Sequence, residues 1–376
     1  MAGSPRGLFE NNLSMKAVIA AGGRGTRLRP ITWTLNKHLI PLANEPMLFN
    51  ALKKISAVGV TEVAINVNPG ETMIQEVCGD GSQWGLNLTY IEQQGGALGV
   101  GHILYNAADW IGSDDVLLYF GDNVVLGSLQ EMVDRFHAEK LDASFAFVEV
   151  DDPERFGVPV FDDSGNLLEV EEKPSSPKSR FAQTGLYIYK MPKYLEAYKN
   201  IAPSARGEYE ISDINTHIIK NGSAGYGTMV GWWKDTGTPE ALLEGNQLLL
   251  NELQAEDALV DDTVIKLDDV RIQGRVKIGR DTVLGPNVLI RGPVVIGNNV
   301  KLDNVYIGPH TTIGDRSEVK NTEIEHSIIM SDSKIETSSK RIVDSIIGPR
   351  ATIVSEASSY PRGHRLIAGE NTYLEL

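Results

Sequence analysis

Lys16-Ala17-Val18-Ile19-Ala20-Ala21-Gly22-Gly23-Arg24-Gly25-Thr26-Arg27-Leu28-Arg29-Pro30 is the stretch from which the rest of the chain is read. It opens with a short apolar run of the kind a buried parallel strand carries. Three glycines close behind let the backbone approach a ligand, with amide hydrogens turned inward as an anion nest. Arg27, and Lys37 a few residues on, add fixed positive charge where an array of phosphates would lie. The loop is predicted to hold a polyphosphate. A Walker loop would end in Gly-Lys-Ser/Thr, which is absent. A dinucleotide fingerprint would need a third glycine where Leu28 stands.

The longer pattern is more specific. Gly22 to Thr32, then Asn36-Lys37-His38-Leu39-Ile40-Pro41-Leu42 and Asn44-Glu45-Pro46-Met47, resembles the signature of the sugar-1-phosphate nucleotidylyltransferases. Asn36 departs from the Ser or Pro common in that family and leaves the lysine intact. The resemblance implies that Arg27 and Lys37 hold the triphosphate of an incoming nucleotide along Ala21, Gly22, Gly23, Gly25 and Thr26.

Outside this loop the chain reads as two domains. Its 376 residues suffice for two cores, and its 41% apolar content is that of a soluble globular protein. A formal charge of −15 argues against a nucleic-acid backbone as partner, though not against nucleotides. The single Cys78 excludes an internal disulfide and any multi-cysteine metal site, and reads as a half-buried hydrophobe. Residues 1–14 lack the apolar core of a signal peptide and read as a disordered leader or tag, so a cytoplasmic location is expected.

Residues 15–254 alternate apolar strands with amphipathic runs. Pro46 to Gly59 is predicted to be a helix, with Met47, Leu48, Ala51, Leu52, Ile55 and Val58 on one face. Strands are expected at Val63–Val67, Leu88–Ile91 and Asp115–Phe120. The pattern predicts an α/β, Rossmann-like domain with a mostly parallel sheet and ligands at its carboxyl edge. In residues 255–376 the texture changes. Ile278, Leu284, Ile290, Ile296 and Leu302 recur every six positions, and Ile307, Ile313 and Val319 resume after a one-residue slip. Gly279, Gly285, Gly297, Gly308 and Gly314 follow five of them and are read as corner residues. A six-residue period gives one strand and one turn per face of a triangular solenoid. It resembles the left-handed β-helix of hexapeptide repeats. The period is expected to fade after Ser331, and the segment from Tyr360 to act as a cap or interface.

The remaining site assignments lean on the resemblance. Asp122, after the strand ending at Phe120, sits where a Mg²⁺ ligand would, and Asp235 offers a second carboxylate. That the two meet is implied by the family, whose members use one aspartate from Gly-Asp and one from Asp-Thr-Gly. The same match gives Gly157, Glu172 and Lys173 as the sugar-phosphate site, joined by Asn123, Thr184, Tyr187 and Trp233. Gln94, with Gly99 downstream and Gln93 as a substitute, is the candidate for reading the base. Ser204 to Asn215 matches the segment that closes the sugar side in glucose-1-phosphate thymidylyltransferases, and the whole resembles their long form.

The implied chemistry is in-line attack of a sugar-1-phosphate oxygen on the α-phosphorus of a nucleoside triphosphate, with Mg²⁺ as cofactor, dTTP and glucose 1-phosphate as substrates and a homo-oligomer held by the solenoid. Neither nucleic acid nor membrane is expected as a partner. The nucleophile is already anionic, so no general base is required. Arg27 and Lys37 would stabilise the departing pyrophosphate and Lys173 the approach of two anions. Rival readings are a UTP-using enzyme, an added acetyltransferase with His310 or His326 as base, and a non-catalytic subunit that binds nucleotide sugars.

Overall fold

Met15–Ala20 forms a strand because its alternate side chains are apolar on both faces and are buried on both; Ala17, Val18 and Ile19 are fully enclosed. A computed structural model of the chain describes residues 15–229, 231–253, 258–337, 341–354 and 372–373. The expected leader and most of the C-terminal cap lie outside these residues. The chain divides into two compact units that cut across the expected linear division near residue 254. The first takes residues up to Gly22, Leu52–Phe120 and Ser128–Val230; the second takes Gly23–Ala51, Gly121–Gly127 and the chain from Gly231 onward.

The first unit is built on a seven-stranded sheet in the order Ala224–Thr228, Ala143–Glu149, Phe181–Lys190, Asp115–Phe120, Met15–Ala20, Glu62–Val67, Asn87–Glu92. The last four run parallel, as the strand-and-helix alternation predicts. Phe181–Lys190 is antiparallel to both its neighbours. Ala20 pairs with Phe120 on one side and Asn66 on the other, which sets Ala21 and Gly22 at the carboxyl edge. Val18, Ala64, Leu118, Phe145 and Tyr189 belong to its core. Cys78 is more deeply enclosed than the sequence suggested, and burial pushes its thiol up to about 12.

The first predicted helix is observed at Leu48–Ala57. Leu48, Ala51, Leu52 and Ile55 are fully buried, as their spacing requires. It starts later than expected because Glu45–Pro46 pairs as a short strand with Pro41–Leu42. Among the described residues, no helix is long and apolar enough to cross a membrane.

In the second unit the six-residue period becomes three stacked columns of parallel strands, those of a left-handed β-helix. One column runs Ile278, Ile296, Ile313, Ile329, Ile347. A second runs Leu284, Leu302, Val319, Ile335, Ile353 and a third Ile290, Ile307, Ile324, Ile342. All eight residues picked out by the period are buried. The solenoid does not fade at Ser331: Ile335 is fully enclosed and the coil continues to Thr352–Val354. Only one inward residue per face is needed, so a polar segment can still complete a coil.

The glycine reading needs correction. None of the five glycines has positive φ; the left-handed corners belong to residues such as Asp281, Asn287, Asn304, Asn321 and Asp332. Asn and Asp tolerate that region through local hydrogen bonding, and Asn304 donates to Asn321 in the next coil at 2.9 Å. The glycines instead let neighbouring coils touch. A Cβ on Gly314 would lie 2.7 Å from the Met330 carbonyl carbon and closer still to the Ser331 amide nitrogen. Backbone cannot yield as a side-chain tip can. Gly314→Ala is therefore expected to destabilise the protein by about 2–3 kcal/mol through overpacking; equilibrium urea unfolding with an unshifted midpoint would contradict this.

Candidate active site

The loop residues from Gly23 to Thr26 are shaped around Lys37. A Cβ on Gly23 would lie 2.7 Å from the Lys37 Cε and 2.8 Å from its Nζ, and one on Gly25 would lie 2.9 Å from the Lys37 Cβ. Gly25 is left-handed at φ 59° and starts the single turn Thr26–Leu28, which leaves Arg27 exposed while Leu28 is buried. The Thr32 hydroxyl donates to the Gly25 carbonyl at 2.7 Å. The glycines thus leave room for the lysine.

Lys37 is ion-paired with Asp122, both side chains mostly enclosed at 15% and 18% exposure. Burial alone would push the Asp122 carboxyl up, but the Lys37 ammonium overrides it and holds it below the usual carboxylate range. His38, next along, is buried and driven down to about 3, first by burial and then by the Lys37 charge, with Asp122 acting in the opposite sense. A neutral His38 brings no charge to Asp122, so the lowering rests on Lys37. Asn36 explains how this turn is held: its side-chain oxygen accepts from the His38 backbone at 3.0 Å and lies 2.9 Å from His38 Nδ1. It caps the turn Lys37–Leu39. Nothing in the sequence marked His38; its burial shows only in three dimensions.

Asp122 and Asp235 lie at the same end of a two-stranded ribbon. Asn123–Val125 pairs antiparallel with Trp233–Asp235, and Asp235 stands opposite Asn123. Buried Thr236 donates to the Asp122 carbonyl from its amide at 3.1 Å and its hydroxyl at 2.7 Å. A Cβ on Gly237 would lie 2.8 Å from Arg27 Nη2 and 3.2 Å from Asp235 Oδ1, so the Asp-Thr-Gly turn passes beside the arginine. Asn123 and Trp233 are buried.

The first unit carries the other assigned residues. The Ala21 amide donates to the Asn66 carbonyl at 2.9 Å. Gln94 is exposed, whereas Gln93 is half-buried with its side-chain oxygen enclosed and without a partner among the described residues. Gly99 is left-handed, and a Cβ there would lie 2.8 Å from the Tyr209 carbonyl. Leu98 accepts from Tyr209 and Tyr209 from Gly101, at 2.8 and 2.9 Å. The Leu-Gly pair is thereby tied to the Ser204–Asn215 segment.

Around Glu172 the arrangement is more polar than the sequence disclosed. Glu172 accepts from the Ser212 hydroxyl at 2.7 Å and from Arg206 at 3.3 Å, with Lys173 Nζ also at 3.3 Å. Arg206 reaches on to Glu210 at 2.9 Å. Glu172, Lys173, Arg206 and Glu210 line a cavity of about 690 Å³. A Cβ on Gly157 would lie 2.7 Å from the Ser212 hydroxyl and 2.8 Å from Gln183 Oε1, so bare backbone is needed there. Thr184 donates to the Ala146 carbonyl at 2.9 Å and Tyr187 to Gln183 Oε1 at 3.1 Å. Both are enclosed, Tyr187 at 1% exposure, so they brace this wall from within. Arg206, Ser212 and Gln183 are the residues that sequence reading did not single out. The first two lie inside the quoted Ser204–Asn215 match, which was the available signal.

Residues 16–252 match the family model for nucleotidyl transferase. The chain belongs to the nucleotidyl transferase family. It is 38% identical over 365 residues to the low-salt glycan biosynthesis nucleotidyltransferase Agl11 of Haloferax volcanii, covering 96% of this chain and 100% of the relative. A glucose-1-phosphate thymidylyltransferase of Streptomyces antibioticus is also 38% identical, over 96% of this chain and 99% of its own. These two therefore extend over the solenoid as well. A Bacillus anthracis crystal structure, described as a glucose-1-phosphate thymidylyltransferase in complex with a sucrose, superposes with a TM-score of 0.58 at 38% identity. It covers 62% of this chain and 94% of that one. This nucleotidyl transferase is thus similar in sequence to these two relatives over nearly its whole length and in structure to a shorter chain over 62% of it.

Proposed function

We propose that the protein transfers a nucleotidyl group from dTTP to glucose 1-phosphate, giving dTDP-glucose and pyrophosphate. The observation that carries the reading is the Lys37–Asp122 pair beside a glycine loop that a Cβ would block. It joins a phosphate-binding cation to a carboxylate kept ionised, which in-line phosphoryl chemistry needs. A sugar-phosphate oxygen forms a bond to the α-phosphorus as the bond from that phosphorus to the bridging oxygen breaks, and pyrophosphate carries away the charge. Arg27 and Lys37 neutralise that charge, and Lys173 receives the sugar phosphate while Glu172 accepts from sugar hydroxyls. Asp122 and Asp235 are hard oxygen donors at one end of a ribbon, a set that fits Mg²⁺ with substrate oxygens completing its shell. Bound there, Mg²⁺ would supply positive charge to phosphate oxygens.

For the base, the half-buried Gln93 with its unpartnered oxygen is a better reader than exposed Gln94. Gln93→Leu is expected to lower kcat/KM for the preferred triphosphate about tenfold, the scale of one lost hydrogen bond. Gln94→Leu should leave it near wild type; the reverse order would return the role to Gln94. The substrate assignment is tested by pyrophosphate release with Mg²⁺ and glucose 1-phosphate, offering dTTP, UTP, ATP, CTP and GTP separately. A preference for dTTP supports it. Preference for another triphosphate keeps the mechanism and changes the product.

A further inference from the structure

The hairpin that follows Lys37 is held by residues outside the glycine loop. Pro41–Leu42 and Glu45–Pro46 are joined by Ala43 and Asn44, both left-handed at φ 49° and 65°. Such a turn faces its first amide away from the hairpin, where it needs an outside acceptor. Asn246, fully buried on the helix Pro239–Asn251, supplies it: its Oδ1 accepts from the Ala43 amide at 2.8 Å. Its Nδ2 donates to the His310 carbonyl in the solenoid at 3.3 Å. Asn44 reaches the solenoid directly, donating to the Ile313 carbonyl at 2.7 Å and lying 3.4 Å from that of Val295.

The hairpin connects to the lysine turn without slack. Ile40 donates to the Lys37 carbonyl at 3.2 Å and Met47 to the Ile40 carbonyl at 3.1 Å. One apolar cluster lies underneath, made of Leu28, Ile40, Leu42, Val124 and Leu242 with Ile328 and Met330 of the solenoid. Leu28 adjoins Arg27, and Val124 is two residues from Asp122. Three groups assigned to pyrophosphate departure and metal binding thus stand on one floor, of which solenoid coils are part.

The geometry points to Asn246 and Asn44 as positioning residues for Lys37, with the β-helix serving as the rigid seat of the triphosphate half of the site. This rests on the nucleotidyl-transfer reading and assigns the solenoid a part in that reaction, separate from assembly. A misplacement of about 1 Å in a charge-stabilising group costs on the order of 10²-fold in rate.

The test compares Asn246→Leu, Asn246→Asp and Asn44→Ala with the wild type. Each is measured for pyrophosphate release and for hydrogen exchange in peptides spanning residues 37–47. Asn246→Leu and Asn44→Ala are expected to lower kcat roughly 10–100-fold with the KM for sugar phosphate within about threefold, and to speed exchange in those peptides. Asn246→Asp keeps the acceptor for Ala43 but loses the donor to the His310 carbonyl, and is expected to recover only part of the lost rate. A generally loosened fold would instead show no such rescue and would speed exchange elsewhere too, overturning the assignment. Wild-type kcat in a folded Asn246→Leu would also overturn it. Silence of the wild type with every triphosphate would sink the nucleotidyl-transfer reading, and the positioning role with it. Unchanged exchange in Asn246→Leu would sink the clamp alone.

Discussion

Arg27→Ala is expected to slow pyrophosphate release by about 10²–10³-fold, or about 3–4 kcal/mol of transition-state stabilisation. The size follows from where the arginine stands. Its side chain is exposed on a one-turn helix whose hold on the protein comes from the neighbouring Leu28. Removing an exposed side chain leaves stability within about 0.5 kcal/mol, so the loss falls on the chemistry. Arg27 would act on charge that develops as the leaving group departs, so kcat and kcat/KM should fall together. Single-turnover rates beside a thermal melt measure both sides of the claim. Wild-type turnover by the variant would remove Arg27 from the mechanism.

Lys37→Met should abolish detectable turnover and also weaken the fold, by about 2–3 kcal/mol near pH 7. Breaking a buried ion pair leaves the other charge uncompensated, and the slight exposure of both groups trims the usual cost. The pH dependence gives the sign. In the wild type the folded-state pKa of Asp122 is depressed, so its contribution to stability is present above the ordinary value of 3.8 and is lost as pH falls through the folded value. Without Lys37, the main opposition to burial is gone and that pKa rises, so Asp122 destabilises the fold wherever it is ionised and ceases to do so once protonated. The melting-temperature gap between wild type and Lys37→Met should therefore narrow on acidification from pH 7 towards 4. A gap that stays constant or widens would mean that Asp122 is not what the lysine compensates.

Much of the fold was legible because burial on both faces leaves a strong trace. The Asp115–Phe120 strand falls on its predicted limits, and every residue of the six-position period is interior. The site was legible only where residues adjoin in sequence, as in the glycine loop with Arg27. That Asp235 lies opposite Asn123 depends on a ribbon whose strands are far apart in the chain and too short to show periodicity. Ser212 and Gln183 were passed over for a similar reason: a polar residue in a helix or strand looks alike in sequence whether it faces water or Gly157. The solenoid glycines were found but misread. A small residue signals a steric demand without saying whether it comes from backbone torsion or from the coil next door.

The stacking of the solenoid also sets the order in which the protein can come apart. Each coil leans chiefly on its two neighbours, so among the described residues melting can begin at the last coil, Thr352–Val354, where Ile353 and Val354 are partly exposed. From there it must pass Ile346, then Ile328 and Met330, before it reaches the carbonyls of Ile313 and Val295 that Asn44 grips. The outer turns act as a sacrificial buffer: mild heat or denaturant can fray them while the grip on the lysine hairpin persists, and activity is lost only when the peeling arrives at the inner coils.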